Sequence, residues 1–408
     1  MKNYMNEKTK YLSAWAAVAL LAVTLAGCGQ ATKTAETQAT AVTQAAAAVT
    51  QAAAGVTQGA AQTDTAGQGA AASGETQAAA TQAPKELVTV RVPTATAINE
   101  YYIGDKLGFF EEEGIKLEQV TIGEGITVQQ AAEQGLLDYL TGGHITGFAR
   151  AQLAGIRAIA THPGMVDSDT LFHIAYYVDV NSPLTSLDDL SKPNPDSGDG
   201  KWKFGVNGSD TCITGYPVYY LNSKGLDTQY VQFVQLDESV QLQSLSAGQL
   251  DISAVHSQRQ PEADLLIADG VLRRVTSSWE IFGDEYAGLS VRGFLEPFID
   301  AHRDDGVVQG FSNAHYKARV WLNDEENRKL ALEWAVEDFG IDPTKVAFQR
   351  FTEDHDINPG AIDRWFEVAY IAGELSPDDP VKPTDTYTNE FASNVTESKE
   401  SIVARRPK

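Results

Sequence analysis

The residues able to do chemistry in this 408-residue chain fall in four short segments, each following an apolar run. Thr94 and Thr96 come after Glu86–Pro93 and can donate hydroxyl hydrogen bonds to a polar or acidic ligand; the alternative is a simple turn. Gly142-Gly143-His144 lets the backbone approach a ligand closely and puts an imidazole at a strand end. Gly208-Ser209-Asp210-Thr211 offers backbone N–H groups and hydroxyls on Ser209 and Thr211 at a helix start, with N-capping as the competing use. Asp210 can hold an amino or amidine group, or cap the helix. His256-Ser257 closes the run Leu250–Val255. Tyr101, Tyr102 and Trp279 can stack on a ring or pack in a core.

Other chemistry is missing from the linear sequence. There is no H-E-x-x-H, G-x-S-x-G or G-x-x-x-x-G-K-[ST]. The seven His are dispersed with no metal-ligand spacing, so neither a metal nor another cofactor is expected. The two cysteines, Cys28 and Cys212, exclude a disulfide framework, and Cys212 reads as a buried, inert thiol at a helix start. The formal net charge of −24 argues against nucleic-acid partners.

The elements that must position these segments alternate. Glu86–Pro93 reads as a strand, Asn99–Leu107 as a helix, Leu117–Ile122 as a strand, Thr127–Gln134 as a helix and Leu136–Leu140 as a strand. The alternation continues through Leu171–Val180 and restarts beyond Ser182, which predicts βαβ units and mainly parallel sheets. Gly288–Val291 reads as a strand; helices are expected over 294–302, 307–321, 324–339 and 359–373, with a loosely packed tail after Ser376.

The first 85 residues differ in kind. Lys2, Lys8 and Lys10 precede an apolar run from Leu12 to Ala26, too short for a span of about 20 residues and of signal-peptide length. It ends in Leu25-Ala26-Gly27-Cys28, which resembles the bacterial lipobox. The resemblance implies a signal peptide over 1–27, cleavage before Cys28 and a lipid on its sulfur. Residues 29–84 contain no Leu, Ile or aromatic residue, so the segment 28–85 is expected to be a disordered tether. Residues 1–85 carry five Lys against four acids, so the acidity belongs to the remainder.

Within that remainder, the segment from Glu100 to Leu117, with its Leu107-Gly108-Phe109-Phe110 and Glu113-Gly114-Ile115, resembles the opening of ABC-importer substrate-binding proteins of the nitrate/sulfonate/taurine/bicarbonate/thiamine-precursor class. Gln134–Tyr139, Ser182–Leu190, Lys203–Val206 with Gly208-Ser209, and Ala247–Ile252 follow in that family's order; Ser191–Gly200 is an insertion. The resemblance implies an α/β, two-lobed type II periplasmic-binding-protein fold with two hinge crossovers, near Val178–Ser182 and Ser277–Gly288. Lobe 1 would comprise 86–180 and 279–408, and lobe 2 residues 181–278.

It also implies a lipid-anchored monomer on the extracytoplasmic face of a bacterial membrane. This monomer would pass a small anionic or zwitterionic solute to an ABC permease and its ATPase, without covalent chemistry. The ligand-binding candidates at the carboxyl ends of strands are then Thr94, Thr96, Tyr101, Gly143, His144, Ser209, Asp210, Thr211, His256 and Trp279. Asp210 favours a ligand that also carries a donor or positive group. The alternative is an enzyme or sensor on the same scaffold.

Overall fold

A computed structural model describes residues 87–123, 126–207 and 211–407, with the Thr211 side chain left aside. Cys28, Ser209 and Asp210 therefore lie outside the described residues, as does the expected tether.

Among the described residues twelve strands follow in chain order: Val88–Pro93 (β1), Ile115–Val120 (β2), Tyr139–Gly143 (β3), Ala158–Pro163 (β4), Met165–Val166 (β5), Ile174–Asp179 (β6), Trp202–Val206 (β7), Val231–Gln235 (β8), Ile252–His256 (β9), Leu272–Ser277 (β10), Val291–Leu295 (β11) and Arg350–Phe351 (β12). They form two α/β lobes. In the first, β1 pairs with β2 in parallel, and β11 lies antiparallel between β3 and β4. The two pieces meet where Asp138 N donates to Arg91 O at 3.0 Å and the Asp138 carboxylate accepts from Arg91 N at 2.8 Å. The second lobe is one sheet in the order β10-β6-β9-β7-β8. The chain leaves the first lobe between β5 and β6 and returns between β10 and β11.

Strand pairing within each lobe is thus mixed, not mainly parallel. β7 pairs with β8 and β9 in parallel through helical crossovers. β6 and β11 run antiparallel to their neighbours because the chain reaches each of them on passing from one lobe to the other, not through a crossover within one sheet; β10 follows β9 within the second lobe and is antiparallel to β6 for that reason. Ile174–Asp179, expected to end the first lobe, pairs with β9 and β10 of the second.

Other boundaries also move. The strand expected at 136 starts at Tyr139, since Gly135 turns the chain at φ 72° and Leu136 is exposed. Phe294 belongs to β11, and the helix expected there begins at Glu296 with Pro297 in its first turn.

Helix Val307–Leu322 runs through the first-lobe core, where Phe311, Trp321 and Leu322 pack with Phe109, Phe110 and Tyr139. The tail expected to be loose is packed against this lobe. Phe391 and Ile402 are buried, Trp321 Nε1 donates to Arg405 O at 3.1 Å, and Asn327 Nδ2 donates to Val403 O at 2.9 Å. Two buried apolar anchors are enough to fix a segment whose average composition is polar.

Candidate functional site

Two adjoining features lie where the carboxyl ends of the strands meet. The first is a cavity of about 500 Å³, lined by Thr96, Asn99 and Glu100 after β1, by Gln258 after β9, and by Arg292, Arg328, Asp342 and residues 345–349. Asn99 accepts from Tyr102 N at 2.9 Å and so fixes the first helical turn beside the cavity. Arg292 is nearly buried and pairs with buried Glu100 at 3.2 Å. Arg328 donates through Nη2 to Asn323 O at 3.3 Å, while its buried Nε has no hydrogen-bond partner in the structure. Burial lowers the Arg328 pKa, so this guanidinium is poorly solvated and suited to an anion.

The second feature is a histidine–thiol cluster. His144 follows β3 and is the N-cap of helix Ile145–Leu153. Gly142 lets that strand end so closely: at φ 82° its Cα faces the Val291 carbonyl, and a Cβ would lie 1.6 Å from that oxygen. The His144 ring stacks on Trp365, with centroids 3.7 Å apart and planes at 22°. Its Nδ1 bonds Leu289 O at 3.0 Å, and its Nε2 is 2.8 Å from His173 Nε2.

His173 precedes β6, and its backbone N donates to the Asp167 carboxylate at 2.7 Å. Asp167 is buried and also accepts from Ser278 Oγ. Burial above all, helped by Asp284 and opposed by these two hydrogen bonds, raises its carboxyl to about 7. Cys212 sits in the π-helical turn Thr211–Gly215, fully buried, with Sγ 3.3 Å from His256 Nε2. His256 ends β9; its Nδ1 is 2.9 Å from Glu238 Oε2, and its backbone N donates to Glu238 Oε1 at 2.7 Å.

The structure thus brings His144 and His256 into one neighbourhood and sets Thr96 on the cavity wall. The other described candidates are not gathered there. Thr94 is exposed and its hydroxyl bonds that of Thr121 at 3.0 Å. Tyr101 is in the first-lobe core, edge-on to Tyr139, and burial raises its phenol to about 12. Gly143 is exposed at the end of β3. Thr211 starts the turn that carries Cys212. Trp279 is half-buried on helix Ser278–Phe282 and does not line the cavity.

Sequence reasoning missed His173, Glu238 and Arg328, and read Cys212 as packing only. The one available signal was His173 itself, a titratable residue inside the apolar run Leu171–Val180.

No family model and no curated protein sequence matches the chain. Solved structures do. A putative sulfonate ABC transporter component, the periplasmic sulfonate-binding protein SsuA from Methylobacillus flagellatus KT, is similar at 16% identity with a TM-score of 0.56; the match covers 75% of this chain and 93% of that one. The ligand-binding component of an ABC-type import system from Staphylococcus aureus, solved with zinc bound, is similar at 13% identity with a TM-score of 0.54, covering 76% and 100%. The desulfurization enzyme DSZB is similar at 17% identity with a TM-score of 0.51, covering 75% and 97%. Such identities speak for architecture: this chain has the two-lobed periplasmic-binding-protein fold.

Proposed function

We propose that this protein is the extracytoplasmic solute-binding component of an ABC import system, held to the membrane by a lipid on Cys28. Its solute would be a small anionic or zwitterionic molecule of the nitrate, sulfonate, taurine, bicarbonate or thiamine-pyrimidine class, passed to a permease and its ATPase. The observation that carries this reading is the roughly 500 Å³ cavity at the strand ends, with the under-solvated Arg328 guanidinium on its wall. Thr96, Asn99, Gln258 and Gln349 supply neutral polar groups around it, as a site for a small oxoanion requires. Capture then needs only closure of the lobes on the solute.

The test is a thermal-shift panel of sulfonates, nitrate, bicarbonate, taurine and aminopyrimidines on the purified protein. A micromolar ligand at about 1 mM should stabilise it by about 4 kcal/mol. Arg328→Met should abolish that shift while the unliganded protein still melts cooperatively. If no member of the panel moves the melting temperature, the reading fails.

A second reading follows from one line of contacts. Cys212, His256 and Glu238 stand in the order of a nucleophile, its base and the group orienting that base. On this reading the protein is an enzyme acting on its bound solute. Loss of the solute with appearance of a product, blocked by Cys212→Ser, would favour it over simple binding.

A further inference from the structure

The histidine–thiol cluster has no role in solute capture as described above. We propose that His144, His173 and Cys212 form a binding site for a divalent d-block cation of the zinc class, with His256 and the Leu289 carbonyl as orienting groups. Nothing in the linear sequence marks this site: the three residues come from the end of β3, the start of β6 and a π-helical turn.

Geometry is the first support. One ligand atom from each of the three residues lies within 4.8 Å of the other two. A tetrahedral zinc ion holds nitrogen at about 2.0–2.1 Å and sulfur at about 2.3 Å, so its ligand atoms stand roughly 3.3–3.7 Å apart. The 2.8 Å between the two Nε2 atoms is a little tighter than that. Small ring rotations would open the gap to seat an ion.

The tautomers are the second support. A backbone carbonyl can only accept, so His144 Nδ1 carries a proton and its Nε2 turns a lone pair inward. The Glu238 carboxylate does the same for His256, whose Nε2 faces the Cys212 sulfur. A carboxylate or carbonyl behind an imidazole is the arrangement that fixes metal-ligating histidines. Without an ion, His173 Nε2 must supply the hydrogen between the two rings; an ion takes that hydrogen's place.

The third support is pre-organisation. His144 is clamped on Trp365, the His173 backbone is tied to Asp167, and Cys212 is fully buried. The donor set decides the class of ion. Two imidazoles and a thiolate suit Zn²⁺, Co²⁺ or copper, and do not suit Mg²⁺ or Ca²⁺. On binding, the Cys212 S–H bond breaks and a sulfur–metal bond forms. The thiol proton passes to His256 Nε2, and His173 changes tautomer: its Nε2 gives its proton to water, Nδ1 takes one up from water, and the neutral ring ligates through Nε2.

This site is distinct from the guanidinium-lined cavity, so the two can fail separately. The experiment is a Co²⁺ titration of the purified, chelator-stripped protein. We expect one Co²⁺ per chain, the intense visible bands of tetrahedral cobalt and a near-ultraviolet thiolate-to-cobalt band, all displaced by Zn²⁺. Cys212→Ser should remove the thiolate band while the protein still melts cooperatively, and Cys28→Ser should leave it intact. His144→Ala and His173→Ala should each weaken cobalt by more than about 100-fold. A titration without visible bands, together with no Zn²⁺-induced rise in melting temperature, would overturn the site. So would a thiolate band that survives Cys212→Ser. A solute-induced thermal shift in metal-free protein, with no cobalt bands, sinks the metal site alone and leaves the solute reading standing.

Discussion

Among the described residues stand two histidine clusters, and they are electrostatic opposites. In the cleft, His144 and His256 are half-buried and each is backed by an acceptor, the Leu289 carbonyl or the Glu238 carboxylate. In the first-lobe core, His162 and His315 are fully buried with ring centroids 4.6 Å apart. His315 is walled by Phe110, Tyr139 and Phe311, and neither of its ring nitrogens has a hydrogen-bond partner. Burial first, then Arg319 and Arg292 for His162, and His162 ahead of the same two arginines for His315, hold both rings well below the ordinary imidazole pKa. The same side chain is therefore a neutral packing unit in one place and an oriented lone pair in the other. The difference is what stands behind the ring: acceptors aim a lone pair at a cation, whereas guanidinium groups repel one.

Four substitutions would break or sharpen that contrast. The largest effect is expected from Glu100→Ala, which strips the buried partner from Arg292 beside the core cluster. It should cost about 3–5 kcal/mol of stability in denaturant titrations, because a buried charge is left uncompensated.

Next is Asp167→Asn, behind the cleft cluster. The folded-state carboxyl titrates at about 7, above its unfolded value, so the folded protein favours the neutral acid. Its stabilising contribution is complete below about pH 4 and is lost as pH rises through about 7. The wild-type protein should therefore lose about 2–4 kcal/mol across that window, and the Asn variant should not. Melting curves from pH 4 to 8 decide it.

Glu238→Gln comes third. Its side chain accepts from both the backbone N and Nδ1 of His256, and an amide cannot accept twice with separate oxygens. One donor must then meet an NH₂ group, which favours the wrong tautomer; cobalt affinity should drop about 10–100-fold. The smallest effect is expected from His315→Phe. Replacing an unsatisfied ring by an apolar one of similar shape should be neutral or stabilising by about 1 kcal/mol, and should leave cobalt binding unchanged. A large loss there would mean that the core cluster is more than packing.

Much of the architecture was legible because it rests on local regularities. Apolar alternation marked β1, β7 and β9, and glycines closed the helices between them. His144 and His256 were legible as strand-end residues, since each directly follows an apolar run. Sheet direction was not legible. Nothing in Ile174–Asp179 or Val291–Leu295 says that these segments are entered from the other lobe, and that alone makes them antiparallel. Arg328 escaped notice because a charged residue on a helix reads as a solvated face until the fold shows what covers it. The tail misled for a similar reason: Phe391 and Ile402 are too far apart in sequence to form a pattern, yet both are buried in one core.

What the sequence determined by itself was a class: two α/β lobes, chemistry gathered at strand ends, and an acidic body preceded by a segment of different composition. Local propensity and the period of apolar residues are short-range properties, and they suffice for that. The tertiary structure decided which side chains meet. His173 lies 29 residues from His144 and 39 from Cys212, and Glu238 lies 18 from His256. Their convergence depends on strand order and on the two passages between lobes. A thiol that reads as inert packing in one dimension stands beside three imidazoles in three, because long-range pairing, not spacing, sets its neighbours.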